Sequence, residues 1–151
     1  MAAEYALKAL LDPNSIYVVG SAGTQAMPKE ILPFIQARLL EKGANPSKHL
    51  PRRLTQQILE SADVPVAMGL DHRDFVREHY RRDVRLYNEI CFERPDPVLD
   101  IGEAIPNWYL RPQTAVDYAL SVVDYLWETM PTFLAHLRTH PQGDGRFTKQ
   151  T

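Results

Sequence analysis

Cysteine is nearly absent: Cys91 is the single thiol in 151 residues. No internal disulfide framework can form, and a lone Cys fits a reducing compartment, so a cytoplasmic protein is expected. Long apolar runs are also lacking, each far short of the roughly 20 residues of a membrane helix. The start, Met1-Ala2-Ala3-Glu4-Tyr5, has no basic, signal-like character. Charge of one sign is scarce too. Lys and Arg number 17 against 19 Asp and Glu, a net charge of −2, which gives no electrostatic reason to expect nucleic acid or a membrane as partner. Glycine is thin at 7 residues, and this matters in "SIYVVGSAGT", Ser15 to Thr24. There a short apolar run enters a small-residue turn of the kind that serves phosphates. Gly20 and Gly23 are too far apart for G-x-G, and no Lys follows, so neither a dinucleotide fingerprint nor a P-loop is present. No internal repeat occurs.

What remains is an ordinary globular composition, 44% hydrophobic and 24% charged, with a length suited to one domain. Apolar spacing predicts a helix over Ala2 to Leu11, stopped by Asp12-Pro13-Asn14. Ile16 to Val19 reads as a short buried strand. Pro28 suits the first turn of a helix carrying Ile31, Phe34, Ile35, Leu39 and Leu40, ended by Gly43. Thr55 reads as the N-cap of a short helix to about Ser61. Val64 to Leu70 and Val84 to Cys91 read as a second and a third strand, with an Asp71-capped helix holding Phe75, Val76 and Tyr80 between them. An irregular connection, Phe92 to Pro112, leads into a long amphipathic helix, Gln113 to Arg138. Its inward positions are Val116, Leu120, Val123, Leu126, Trp127, Met130, Phe133, Leu134 and Leu137. Strands alternating with helices predict an α/β fold with a parallel sheet. Residues 1–138 form the expected domain and 139–151 an expected flexible tail.

Taken in order, these pieces resemble the low molecular weight protein tyrosine phosphatases, a family that includes arsenate reductases of the same fold. The matching residues are Ser21-Ala22-Gly23-Thr24, then Gly43, then His49-Leu50-Pro51-Arg52-Arg53-Leu54-Thr55, then Ala62-Asp63 and Met68 before the closing long helix. The resemblance implies a three-layer αβα domain with a short parallel sheet. It also implies phosphomonoester hydrolysis through a cysteinyl-phosphate, without metal or other cofactor. By position, Ser21 and His49 correspond to residues that hydrogen-bond to the family's phosphate loop and hold its shape, with Arg52 beside them as further support. The family's general acid is an Asp in the loop before the last helix, which leaves Asp100 and Glu103 as candidates here; an exposed loop carboxylate is the plainer reading of each. Trp108 and Tyr109 stand where the family keeps aromatics flanking the substrate ring, though aromatics also simply pack.

The departure is at the front. The family's Cys-x5-Arg loop, whose thiolate attacks phosphorus while backbone N–H groups and the Arg hold the oxygens, occurs nowhere in these 151 residues. Cys91 cannot substitute, because Pro97 stands six residues on. Met1 falls about where the Pro after that loop would be, so the first strand and loop are expected to lie upstream. Two readings follow. One is a phosphatase-family enzyme, acting on a phosphotyrosine protein or a small phosphomonoester once a phosphate loop is supplied. The other is a non-catalytic binding or interaction module of the same fold. A sheet without its first strand could close up, fold marginally or be filled by another chain; self-association into a homo-oligomer is the expectation.

Other constellations are bland. His136 and His140 stand one helical turn apart, with no third ligand and Pro141 ending the helix. Arg73, Arg77 and Arg81 share a stripe that reads as a solvated face.

Overall fold

In a computed structural model, residues 1–25 and 30–139 are described. The order is α1 (Ala2–Leu10), α2 (Pro33–Glu41), α3 (Gln56–Glu60), β1 (Val66–Ala67), α4 (Leu70–Tyr80), β2 (Arg85–Leu86), α5 (Tyr87–Phe92), α6 (Ile101–Ala104), a 3-10 turn (Trp108–Leu110) and α7 (Pro112–Thr139). The expectations for Pro28 and for residues 140–151 lie outside the described residues. Among the described residues, no helix is long and apolar enough to cross a membrane.

β1 and β2 pair in parallel, Val66 opposite Arg85 and Ala67 opposite Leu86, with α4 as the crossover that parallel strands require. Alternation across the pleat gives this small sheet two packed faces. Ala67 and Leu86 are buried with Leu59, Val76 and Val84 on the side of α3 and α4. Val66 packs instead toward Ala6, Tyr87, Ile90, Cys91, Leu126, Met130 and Phe133, contributed by α1, α5 and α7. The result is the expected three-layer αβα arrangement around a short parallel sheet.

Three local expectations are corrected. Ile16 to Val19 is not a buried strand: Ile16 is 91% exposed and Val18 100% exposed. The run has β propensity, but among the described residues no strand pairs with it, and propensity alone does not make one. Val64 to Leu70 shrinks to two strand residues, because Gly69 already caps α4 through its N–H to His72 Nδ1 (3.2 Å), so the N-cap is Gly69 and not Asp71. Val84 to Cys91 is a strand only at Arg85–Leu86, then turns into α5. The Glu89 carboxylate takes the Leu86 N–H at 2.8 Å, which starts a helix where apolar content suggested a longer strand.

Two caps follow the sequence closely. After α2, Gly43 sits at φ 82°, its N–H bonding the Leu40 carbonyl while the Ala44 N–H reaches the Leu39 carbonyl. This double bond pattern needs a left-handed residue, which glycine adopts without strain. At α3, Thr55 Oγ1 accepts the Ile58 N–H at 3.2 Å. Thr55→Ala should therefore cost about 1 kcal/mol in chemical denaturation, and a midpoint unchanged from wild type would show the cap to be idle.

Along α7 the buried stripe is Ala115, Ala119, Val123, Leu126, Met130, Phe133 and Leu134. The last five were expected; in the first two turns the small Ala115 and Ala119 face inward, and Val116 and Leu120 only half-bury. α1 and α2 both pack against this helix, so α7 is the floor on which the N-terminal half rests.

Candidate functional site

The turn Ser21-Ala22-Gly23 and the segment His49 to Thr55 are far apart in sequence, and a single parallel bridge joins them. The Gly23 N–H donates to the Arg52 carbonyl (3.0 Å) and the Leu54 N–H to the Gly23 carbonyl (2.9 Å). This bridge sets Arg52 against the turn, where its Nε donates to the Ser21 carbonyl at 2.9 Å. A Cβ on Gly20 would fall onto the Arg52 guanidinium, so the small residue there is what lets the side chain lie close.

The first turn of α1 completes the cluster. Ser21 Oγ donates to Glu4 Oε2 at 2.6 Å, His49 Nδ1 lies 3.7 Å from the same oxygen, and Lys8 bonds Glu4 Oε1. The Tyr5 ring meets the His49 ring edge-on, centroids 5.8 Å apart. Glu4 and His49 are nearly enclosed, with side chains 9% and 10% exposed. Burial works to raise the Glu4 pKa, but the bonds from Lys8 and Ser21, with the Lys8 charge, outweigh it and hold the carboxyl below its ordinary range. His49 goes down as well, chiefly through burial, against the opposing pull of Glu4. The amine of Met1 is likewise lowered by burial. Together these make a compact, hydrogen-bonded polar site, with Glu4 ionised and His49 neutral near pH 7.

Ser21 and His49 are thus brought together at Glu4, with Arg52 on the Ser21 carbonyl. Glu4, at the centre of the group, was not singled out as a site residue; its only sequence signal was the Ala3-Glu4 pair at the start of α1.

The pH dependence follows from these directions. Glu4 has a folded pKa below its ordinary 4.5, so it contributes stability above that value that is lost as pH falls through the folded pKa. For His49 the folded protein resists protonation, so stability declines as pH falls below the ordinary 6.5. The Met1 amine adds a decline of the same sign below 8.0. Melting temperature should drop on going from pH 7.5 to pH 5.5, and His49→Gln should flatten the part below pH 6.5. An unchanged slope in that variant would remove His49 from the account.

Asp100 and Glu103 are held to each other's backbone in a reciprocal cap on α6. The Glu103 N–H donates to Asp100 Oδ1 (2.8 Å) and the Asp100 N–H to Glu103 Oε2 (2.9 Å). Both are exposed and both have a structural use. Their loop is stapled to the rest of the protein: Tyr118 Oη donates to the Leu99 carbonyl (3.0 Å), and Tyr125 Oη donates to the buried Asn88, whose amide in turn holds the Asp96 carbonyl (3.0 Å). A cleft of about 480 Å³ lies along this staple, lined by Arg94, Val98, Leu99, Tyr118 and Tyr125 among others. Trp108 and Tyr109 are not among its lining residues; they stand edge to face at 6.3 Å, 47% and 64% exposed, in the 3-10 turn that follows Asn107.

Cys91 lies elsewhere, 2% exposed within α5. Burial pushes its thiol up, only partly offset by a hydrogen bond from Tyr87. Two of the three stripe arginines are paired: Arg73 to Glu89 at 3.0 Å, and Arg77 to Asp83 at 2.8 Å. Among the described residues, no group of three or more His, Cys, Asp or Glu side chains could hold a metal ion.

No family model and no curated protein matches the chain. Solved structures do. One is the YwlE arginine phosphatase, as a Cys-to-Ser mutant with a phosphorylated active-site serine, at 25% identity and TM-score 0.73 over 91% of this chain and 86% of that one. A mutant of YwlE from Bacillus subtilis matches at 25% identity and TM-score 0.72, covering 91% and 88%. A low molecular weight protein tyrosine phosphatase from Bacillus subtilis, solved in solution, matches at 25% identity and TM-score 0.71, covering 93% and 90%. The αβα layers, the Ser21-to-Gly23 turn bridged to the Arg52 segment, and these matches agree: the chain has the fold of the low molecular weight protein tyrosine phosphatases.

Proposed function

We propose that these 151 residues form the scaffold around a phosphomonoester site in a protein of the low molecular weight phosphatase group, and that they do not cleave a phosphoester by themselves. The observation that carries this reading is the state of the thiol. A cysteine nucleophile is exposed, is held as thiolate by a lowered pKa, and here would need Arg six residues on. Cys91 is buried, its pKa is raised, and its sixth neighbour is Pro97. The scaffold nevertheless keeps Ser21, His49 and Arg52 gathered in one place. The related structures suggest two substrate classes, the phosphomonoester of phosphotyrosine and, beyond phosphomonoesters, the phosphoramidate of phosphoarginine.

A second reading, a non-catalytic binding module, draws on a different observation. Ser21 and His49 already have Glu4 as partner, so their cluster is complete as it stands. Calorimetry with phosphotyrosine and phosphoarginine peptides separates the two. A module binds one of them and loses it on Arg52→Ala. A scaffold binds neither, and gains turnover when a strand and a Cys-x5-Arg-Ser-Pro segment are fused ahead of Ala2. A folded fusion without turnover would sink the scaffold reading.

A further inference from the structure

Between α5 and α6 the chain runs Glu93-Arg94-Pro95-Asp96-Pro97-Val98-Leu99. Glu93, at φ 55°, turns it out of α5, and Asp100 caps α6 at its far end. Both prolines lack an N–H and fix φ, and each pushes the residue before it toward extended backbone. The segment is therefore a stiff strap that moves as a piece instead of fraying residue by residue. Beyond Arg94, its one backbone-to-backbone tie among the described residues is the Val98 N–H on the Met68 carbonyl, at 2.8 Å. Side chains do the rest of the fastening. Among the described residues, Asn88 is the only buried residue of the amide or charged type, at 5% exposed. Its Oδ1 accepts from Tyr125 Oη at 2.7 Å, and its Nδ2 donates to the Asp96 carbonyl at 3.0 Å. Arg94 closes a ring: its Nε lies 3.3 Å from Asp96 Oδ2, and its positive charge reaches the Tyr125 hydroxyl.

We propose that the strap from Glu93 to Leu99 is a flap clasped onto α7 by this ring, and that it opens as one unit while the rest of the domain stays folded. A buried amide with a partner on either side makes an all-or-none fastening. Losing one partner leaves a polar group unpaired away from water, so the ring is made whole or released whole. Opening exposes little that the core needs. Glu93 to Asp96 and Leu99 are already exposed, and Val98 is the strap residue that packs against the apolar cluster of α5 and α7. Segments with few buried apolar contacts lie at the low-stability end of a fold and open ahead of the core. The cleft of about 480 Å³ is bounded by strap residues on one side and by Tyr118 to Tyr125 of α7 on the other, so opening widens it. The inference rests on neither reading of the proposed function, since it uses no residue of the Glu4 cluster.

Native-state hydrogen exchange on the whole chain tests it, with the Val98 amide reporting on the strap and the Val123 and Leu126 amides on the core. In the wild type, Val98 should exchange faster than the α7 amides and with little dependence on added denaturant, the mark of an opening that exposes little surface. Tyr125→Phe removes one hydroxyl and should speed Val98 exchange about tenfold, the scale of one buried hydrogen bond. Arg94→Gln breaks the ring from the surface and should speed it about two- to fivefold, as for an exposed ion pair. That variant keeps the test open should Tyr125→Phe fold poorly. Thr55→Ala is the control, because α3 packs in the other apolar cluster, across the sheet. It should speed the α7 amides, which need the whole domain to unfold, and leave Val98 unchanged. A Val98 amide that shares the rate and denaturant dependence of the α7 amides overturns the proposal. So does one that speeds up with them in Thr55→Ala, or one indifferent to both ring variants.

Discussion

An aryl phosphate incubated with the 151-residue chain is expected to turn over no faster than with its Cys91→Ser variant, and both should sit at the uncatalysed rate. In thiol phosphatase chemistry the nucleophile and the phosphate-holding Arg act as a unit, and removing such a unit costs on the order of a millionfold. Among the described residues, no other thiol is present to replace it. Cys91 is closed inside α5 under Tyr87 and the α7 core, with its thiol held in the protonated form by burial. Exposing it would require opening the cluster that contains Met130 and Phe133, which are 1% and 5% exposed. His49 is neutral, and its ring nitrogen faces the Glu4 carboxylate at 3.7 Å. Ser21 Oγ spends its proton on Glu4 at 2.6 Å, so it is not poised to attack phosphorus. Steady turnover of p-nitrophenyl phosphate that disappears in Cys91→Ser would mean that α5 opens and that the reading of the thiol is wrong.

The parts of the fold that were legible in the sequence are those set by local rules. Thr55 and Gly43 marked the ends of α3 and α2 because a side-chain cap and a left-handed residue are one-residue signals. The long apolar period of α7 identified its buried face from Val123 onward. The strands were not legible, because a strand is a pairing and the sequence shows only one partner at a time. Ile16 to Val19 has stronger β propensity than Val66-Ala67, yet only the latter finds a neighbour, in β2. At α5, one acidic side chain on the Leu86 N–H outweighed the apolar run.

The candidate site divides in the same way. Ser21, His49 and Arg52 were recognised through their flanking motifs, and one bridge between Gly23 and Arg53 makes them neighbours. Glu4 was missed as the centre because a Glu in the first turn of an amphipathic helix looks like any solvated carboxylate that favours the helix dipole. Asp100 and Glu103 were marked by type and loop position, and their reciprocal cap shows how a S/T/D-x-x-E spacing can answer to structure alone.

Glu4→Ala should be the most destabilising single change in the polar cluster, by about 2–3 kcal/mol, or a fall of roughly 5–10 °C in melting temperature for a chain of this size. The carboxylate accepts from Ser21 Oγ and Lys8 and faces His49, and it is nearly enclosed. Its removal leaves the Ser21 hydroxyl without an acceptor where water has little access, and that loss is counted at the full desolvation penalty of the group. Lys8 contributes far less, because its side chain is 46% exposed and can turn to solvent. Glu4→Gln separates the two terms: it keeps an acceptor for Ser21 but loses the charge that attracts Lys8, so it should fall between wild type and Glu4→Ala. A double-mutant cycle with Ser21→Ala should return a coupling of about 1 kcal/mol or more, as expected for buried partners in contact. If Glu4→Ala costs no more than Lys8→Ala, or the coupling to Ser21 is zero, then α1 is held by the packing of Ala6 and Leu7 on α7 alone and Glu4 does not organise the site.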